Sequence, residues 1–168
     1  MVFQAEPEFA DSDRNEAMDL SLTRGPIVSN ESILIVEDDA VVIKILESQF
    51  RTAGYKVVAA KTTAEAIRST VTQQPDLMIL DLTLIDGTSV NGLIDGLSLL
   101  EWLRRMLPEG RFPVIIHTCD NSPDLEERTR SYGVKGVFRK GKPVKELLEA
   151  VRAALNEHPT GSEEARDK

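Results

Sequence analysis

The chain has 168 residues and a formal net charge of −8, enough length for one domain with a buried core. The acidic balance argues against binding to nucleic acid or to an anionic membrane, because both need a basic protein surface. The single cysteine, Cys119, excludes an internal disulfide, and no apolar run approaches the roughly 20 residues of a membrane span. We therefore expect a cytoplasmic protein that binds cations or other proteins.

Residues 1–30 form a polar, acidic N-terminal extension. Six acidic side chains face only Arg14 within the first twenty residues. Such a segment buries too little apolar surface to offset its ordering entropy, so disorder is expected. It is either a solvated tail or a docking arm for a partner. The folded domain is expected at 31–157, and residues 158–168 read as a flexible charged tail.

Strand-like apolar runs alternate with stretches of helical periodicity five times after Ser32. The predicted strands are at 33–36, 56–60, 77–80, 112–118 and 134–139, and the predicted helices are at 40–53, 62–73, 97–107, 121–131 and 143–155. The central run at 77–80 shows no polar alternation, which is typical of a strand buried on both faces. This plan predicts an α/β fold with a parallel sheet covered by helices on both faces.

Polar side chains follow four of the predicted strands. Glu37 and Asp38 end the first, Asp81 the third, Thr118 the fourth and Lys140 the fifth. Because ligands of open α/β sheets bind outside the carboxyl ends of the strands, these groups are expected to share one rim. Three adjacent carboxylates call for a neutralising cation, and all-oxygen ligands suit Mg²⁺. A carboxylate such as Asp81 can also attack phosphorus and form an aspartyl phosphate.

Five landmarks in this order carry a family resemblance. They are Ile-Leu-Ile-Val-Glu-Asp-Asp at 33–39, Leu-Asp-Leu at 80–82, Asp-Gly-Leu at 95–97, Thr118, and Phe-Arg-Lys at 138–140. The chain resembles the receiver domain of two-component response regulators, of which the stand-alone chemotaxis type is the compact form. The resemblance implies a flavodoxin-like, doubly wound five-stranded parallel sheet with strand order 2-1-3-4-5.

The resemblance also implies a phosphorylation site with a metal ion. Asp81 would accept the phosphoryl group from a histidine kinase or a histidine phosphotransfer protein. Mg²⁺ would be bound by Asp81, by Asp38 directly, by Glu37 mainly through water, and by the backbone carbonyl of Thr83. Phosphorylation would be reversible, and the chain would act as a switch rather than as an enzyme with its own substrate.

Further residues of the resemblance concern switching and phosphate lifetime. Thr118 would follow the phosphoryl group on activation, and Lys140 would pair with it. The side chains of Thr83 and Asp120 would flank the attacking water and so tune the lifetime. The residues outside the domain are too few for a further output domain. Output is therefore expected through contact with a downstream protein or through phosphate relay.

The sequence departs from the family pattern near these residues. Gly141 follows Lys140 where the family usually has a proline with a cis peptide bond. Val137 occupies the position of the family's switching aromatic residue, with Phe138 as a candidate substitute. The connection after the third strand is about seven residues longer than the family norm, with the insertion at 86–93, and long loops in compact domains are often functional or disordered.

Two other functions stay open at this point. A receiver-like module that binds its partner without phosphate would explain Gly141, Val137 and the insertion. A Mg²⁺-dependent phosphohydrolase of the haloacid-dehalogenase type would also use an aspartyl phosphate. Those enzymes place a general acid two residues after the nucleophile, and Thr83 at that position cannot serve as one.

Overall fold

A computed structural model describes residues 30–84, 96–108 and 111–158. The predicted N-terminal extension, the insertion at 86–93 and nearly all of the predicted tail lie outside the described residues. Within the described ranges, no helix is both long and apolar enough to cross a membrane.

Five parallel strands form one sheet, with an α-helix after each strand. The strands are β1 (Ser32–Val36), β2 (Lys56–Ala60), β3 (Leu77–Leu80), β4 (Val114–Thr118) and β5 (Gly136–Arg139). The helices are α1 (Ala40–Thr52), α2 (Thr63–Gln73), α3 (Gly96–Met106), α4 (Leu125–Arg130) and α5 (Val144–Glu157). The sheet order is β2-β1-β3-β4-β5, with all pairs parallel. The predicted fold class and strand order are confirmed.

Two apolar layers hold the helices against the sheet. Because successive strand residues point to opposite faces, Leu34 packs in one layer and Ile35 in the other. The Leu34 layer contains buried residues of α2, α3 and α4. The Ile35 layer contains buried residues of α1 and α5. All four residues of β3 are buried, as its uninterrupted apolar run predicted.

The first helix begins where the sequence predicted it. The Asp39 carboxylate accepts hydrogen bonds from the backbone N–H groups of Val41 and Val42, at 2.7 and 3.3 Å. Asp39 is therefore the N-cap of α1, and its side chain is committed to the helix start. The carboxylates just before it, Glu37 and Asp38, lie on the turn that leaves β1.

The fourth helix is shorter than predicted. The sequence predicted a helix over 121–131, whereas α4 is confined to Leu125–Arg130. The Asp120 side chain accepts hydrogen bonds from both the backbone N–H and the hydroxyl of Ser122. This Asx turn holds the chain in a non-helical path, and Pro123 follows it. A longer loop therefore separates β4 from α4.

Gly96 lets α3 approach the end of β3 closely. Its N–H donates to the Leu82 carbonyl at 3.0 Å. A Cβ at this position would lie 2.6 Å from the Asp81 carbonyl oxygen and 2.8 Å from the Leu82 Cα. Both neighbours are backbone atoms, which cannot swing aside as a flexible side chain can. Gly96 thus supports the loop that carries Asp81.

We expect Gly96→Ala to lower the free energy of unfolding by about 1–3 kcal/mol, the usual cost of overpacking. Urea unfolding measures it. Ser98→Ala is the matched control, because Ser98 is an exposed residue of the same helix. Equal stability of the two variants would contradict the close packing of Gly96.

Candidate functional site

The carboxyl ends of β1 and β3 bring three carboxylates together. These strands are neighbours, with Val36 aligned to Leu80, so the residues that follow them lie side by side. One oxygen each from Glu37, Asp38 and Asp81 lies within 4.8 Å of the others. Glu37 and Asp81 are buried, whereas Asp38 is half-buried. The acidic cluster predicted from the sequence is present.

Lys140 is the counter-ion of the two buried carboxylates. Its Nζ lies 2.6 Å from Asp81 Oδ2 and 2.7 and 2.9 Å from the two Glu37 oxygens. The lysine follows β5, two strands away from β3 at the same edge of the sheet. The ammonium group and the two carboxylates are therefore close enough for charge-assisted hydrogen bonds.

The same contacts set the ionisation of these groups. Burial opposes ionisation of Asp81, but the hydrogen bonds from Lys140 and from the Thr83 N–H outweigh it, so the pKa of Asp81 lies below its usual range. Burial dominates at Glu37 and raises the pKa of that carboxyl, although Lys140 partly offsets it. Burial also disfavours the charged form of Lys140, yet its bonds to Asp81 and Glu37 raise its pKa. Asp81 and Lys140 are thus ionised at neutral pH.

Thr83 orients the Asp81 carboxylate from the other side. Its backbone N–H donates to Asp81 Oδ1 at 3.0 Å, and its hydroxyl lies 3.0 Å from both carboxylate oxygens. Thr83 is exposed, so its side chain lies between Asp81 and solvent. Thr83 therefore lies at the Asp81 site and holds the aspartate side chain in one orientation; its predicted roles as a metal ligand and in phosphate lifetime stay predictions.

Thr118 and Lys140 are coupled through the ends of β4 and β5. The Lys140 N–H donates to the Thr118 carbonyl at 3.0 Å, and Thr118 is fully buried. After Lys140 and Thr83, the Thr118 side chain makes a smaller contribution that also lowers the pKa of Asp81. It also accepts from the Asp120 N–H at 3.2 Å. The predicted hydroxyl and ammonium therefore share the rim with the carboxylates.

Asp120 lies at this rim but is engaged locally. The bonds from the Ser122 hydroxyl and backbone N–H lower the pKa of Asp120. Its other oxygen lies 4.0 Å from Arg128. In this arrangement the carboxylate holds the loop after β4 and has an arginine beside it.

The donor set of the acidic cluster fits a hard divalent cation. Glu37, Asp38 and Asp81 offer only carboxylate oxygens, which Mg²⁺ prefers over nitrogen or sulfur ligands. Two of the three are buried and share one ammonium group, so the cluster carries an excess of negative charge. The half-buried Asp38 leaves the cluster accessible to an ion and its waters.

The end of β5 departs from the family pattern in a way that the sequence only partly predicted. Val137 packs in the Leu34 layer, whereas Phe138 packs in the Ile35 layer, on the other face of the sheet. Phe138 therefore does not occupy the face of the missing aromatic residue. Gly141 has φ of 85°, a left-handed conformation that favours glycine and that a proline cannot adopt.

Sequence reasoning overlooked Gly96 as part of the site. It lies inside the Asp-Gly-Leu landmark at 95–97, but pattern alone does not reveal which backbone atoms it touches. A glycine at the first position of a helix that otherwise has strong apolar periodicity was the available signal. Its closeness to the Asp81 carbonyl makes it a support of the carboxylate loop.

Comparisons with known proteins agree with this geometry. A profile described as the response regulator receiver domain matches residues 33–152. The methanol utilization control regulatory protein MoxX of Paracoccus denitrificans is 32% identical over 119 residues, which are 70% of this chain and 50% of that protein. The polar-differentiation response regulator DivK of Brucella ovis is 25% identical over 127 residues, 76% of this chain and 98% of DivK.

A solved structure of a receiver domain is also similar to this chain. The non-phosphorylated HemR receiver domain from Leptospira biflexa matches with a TM-score of 0.65 at 27% identity, covering 75% of this chain and 94% of that one. The chain spans about half the length of MoxX and of the mycobacterial transcriptional regulatory protein PrrA. The chain belongs to the family of receiver domains of two-component response regulators.

Proposed function

We propose that the chain is a phospho-acceptor switch in which Asp81 receives a phosphoryl group from a histidine kinase or a histidine phosphotransfer protein. The observation that carries the proposal is the buried, ionised Asp81 held between Lys140 and Thr83. A nucleophilic carboxylate needs to be deprotonated, fixed in direction and close to positive charge. All three conditions are met at this residue.

The transfer is a displacement at phosphorus. The bond between phosphorus and the donor's imidazole nitrogen breaks as a bond forms between phosphorus and an Asp81 carboxylate oxygen, and the electron pair stays on the imidazole. Lys140 would stabilise the added negative charge, and the Thr118 hydroxyl would donate to a phosphoryl oxygen. Glu37, Asp38, Asp81 and the Thr83 carbonyl would hold Mg²⁺, which would neutralise further charge there.

Partners follow from this role. Receiver domains interact with kinases or phosphotransfer proteins and with downstream targets. The match over 98% of DivK, a protein named as a response regulator, supports the role of a receiver. We propose that the output of this chain is a contact with a downstream protein. We place the receiver domain at 31–157 with an N-terminal extension at 1–30 and a tail at 158–168, in the cytoplasm. Thr83 and Asp120 are our candidates for tuning phosphate lifetime.

A second candidate is a receiver-like module that binds its partner without phosphate. Val137 in place of an aromatic residue and the left-handed turn at Gly141 favour it. Both features lie in the segment that couples the phosphoryl site to the surface of β5. The two candidates differ in whether Asp81 becomes phosphorylated, which is measured directly.

We expect acetyl phosphate with Mg²⁺ to add one phosphoryl group to the wild-type chain and none to Asp81→Asn. Intact mass spectrometry detects the addition, and peptide mapping locates it. Asp76→Asn is the matched control, because Asp76 precedes the same strand at its other end and accepts from the Ser32 N–H at 2.6 Å. Equal labelling of all three proteins would refute Asp81 as the acceptor.

Mg²⁺ alone should raise the melting temperature of the wild-type chain. Binding to the folded state stabilises it by about 1.4 kcal/mol for each tenfold excess of ion over the dissociation constant. Asp38→Asn should abolish most of this gain, because it removes a half-buried ligand while leaving the Lys140 contacts in place. Asp39→Asn is the control, since asparagine caps helices as well as aspartate. A gain that persists in Asp38→Asn would place the ion elsewhere.

Gly141→Ala tests whether the turn after β5 positions Lys140. Gly133 also has positive φ, 71° against 85°, and a Cβ at either glycine meets nothing within 4 Å. Each alanine should therefore cost about 1 kcal/mol of stability for purely conformational reasons. Only Gly141→Ala should slow phosphorylation by acetyl phosphate. If both variants or neither variant slowed phosphorylation, the turn at Gly141 would not be what positions Lys140.

A further inference from the structure

A basic groove lies at the edge of the sheet opposite to Asp81. Its cavity volume is about 440 Å³, and it is formed where α3 and α4 end and β4 begins. Four exposed cationic residues line its mouth: Arg104, Arg111, Arg130 and Lys135. Among the described residues that line it, none is acidic. Such a concentration of cations is unexpected in a chain with a net charge of −8.

The floor of the groove is apolar. Leu103 and Phe112 are buried beneath it, and Leu107 and Tyr132 are half-buried along its walls. A groove with an apolar floor and a cationic mouth fits an acidic peptide that also carries apolar side chains. The carboxylates of such a peptide would face the cations, and its apolar side chains would pack on the floor.

Helix ends and ion pairs within the domain explain only some of these cationic residues. Helix C-termini favour cations, which explains Arg104 and Arg130 in the last turns of α3 and α4. Lys135 lies 3.3 Å from Glu157. Arg111 lies outside any helix, and within the described ranges neither Arg111 nor Arg130 has an ion-pair partner.

The complement of this groove is present in the chain's own sequence. Residues 6–19, the acidic segment, contain six carboxylates and one arginine, with Phe9 and Met18 among them. We propose that the acidic segment docks in the basic groove of the same molecule. The segment lies outside the described residues, and the proposal rests on the groove, on charge complementarity and on reach.

The geometry of the sheet allows this contact. Asn30 precedes β1 at the same edge as the groove, and its side chain accepts from Lys56 Nζ at 2.5 Å. The groove begins at β4, two strands from β1, which is about 10 Å at the usual spacing of strands. The residues from 19 to 30 can span up to about 35 Å when extended. A tethered segment also has a high effective concentration, so it outcompetes weak external peptides.

Limited trypsin digestion of the full chain tests the docking. Arg14 lies within the acidic segment, and Arg166 near the other end of the chain is an internal reference. The measurement is the rate of cleavage after Arg14 divided by the rate after Arg166, at low salt. The double variant Arg111→Glu/Arg130→Glu leaves the sequence around Arg14 unchanged, so its intrinsic susceptibility to trypsin is also unchanged.

We expect the ratio to rise about tenfold in the double variant, from the loss of two exposed ion pairs and the repulsion that replaces them. Salt at 0.5 M (a Debye length of about 4 Å) should raise the wild-type ratio in the same direction. Arg111→Gln should give a smaller rise and serves if the double variant unfolds. Lys44→Glu/Arg68→Glu, at exposed positions of α1 and α2, makes the same charge change away from the groove.

Three outcomes would overturn the proposal. The first is a ratio that is the same in the wild type and both groove variants. The second is an equal rise in Lys44→Glu/Arg68→Glu, which would show a general charge effect. The third is protection that increases with protein concentration, which would assign the groove to a second copy of the chain.

Discussion

The ammonium group of Lys140 between two buried carboxylates is the interaction on which the rim depends. Glu37 and Asp81 are almost inaccessible to solvent, and leaving either ionised without a partner would cost several kcal/mol. The lysine comes from the last strand, whereas the carboxylates come from the first and third. This ion triad therefore forms only when β1, β3 and β5 hold their places in the sheet, and it joins Glu37 and Lys140, which are 103 positions apart in the sequence.

The triad also leaves the site with uncompensated negative charge. One positive charge faces two buried carboxylates and a third half-buried one, so the rim keeps a negative excess that a cation or a charge redistribution can relieve. A phosphoryl group on Asp81, as proposed above, would add negative charge beside the same lysine, whose Nζ lies 2.6 Å from Asp81 Oδ2. A cation or a phosphoryl group bound there would therefore act on Lys140 and on the end of β5 that precedes it.

The sheet and the identity of the rim residues were predictable because parallel strands impose strong patterns. Uninterrupted apolar runs mark the buried strands, and their carboxyl ends share an edge whatever the helices do. What escaped prediction depends on contacts between backbone segments that are distant in sequence. Gly96 touches the Asp81 carbonyl through space, and no spacing rule reveals that. The shortening of α4 arose from one Asx turn at Asp120, which competes with helix formation.

The alternation of side chains along β5 determines whether Phe138 can take the place of an aromatic residue at position 137. Adjacent residues of a strand face opposite layers, so Phe138 cannot replace an aromatic residue at Val137 without a shift in register. Val137 is aligned with Ile116 of β4, and a valine on that face has no bulky ring to move between two positions. In the proposed switch, a displacement at the end of β5 would therefore pass through Lys140 and the glycine turn that follows it, rather than through an aromatic side chain at position 137. Gly141, with φ of 85°, lies between Lys140 and the start of α5 at Val144, so a displacement of Lys140 would reach α5 through this turn.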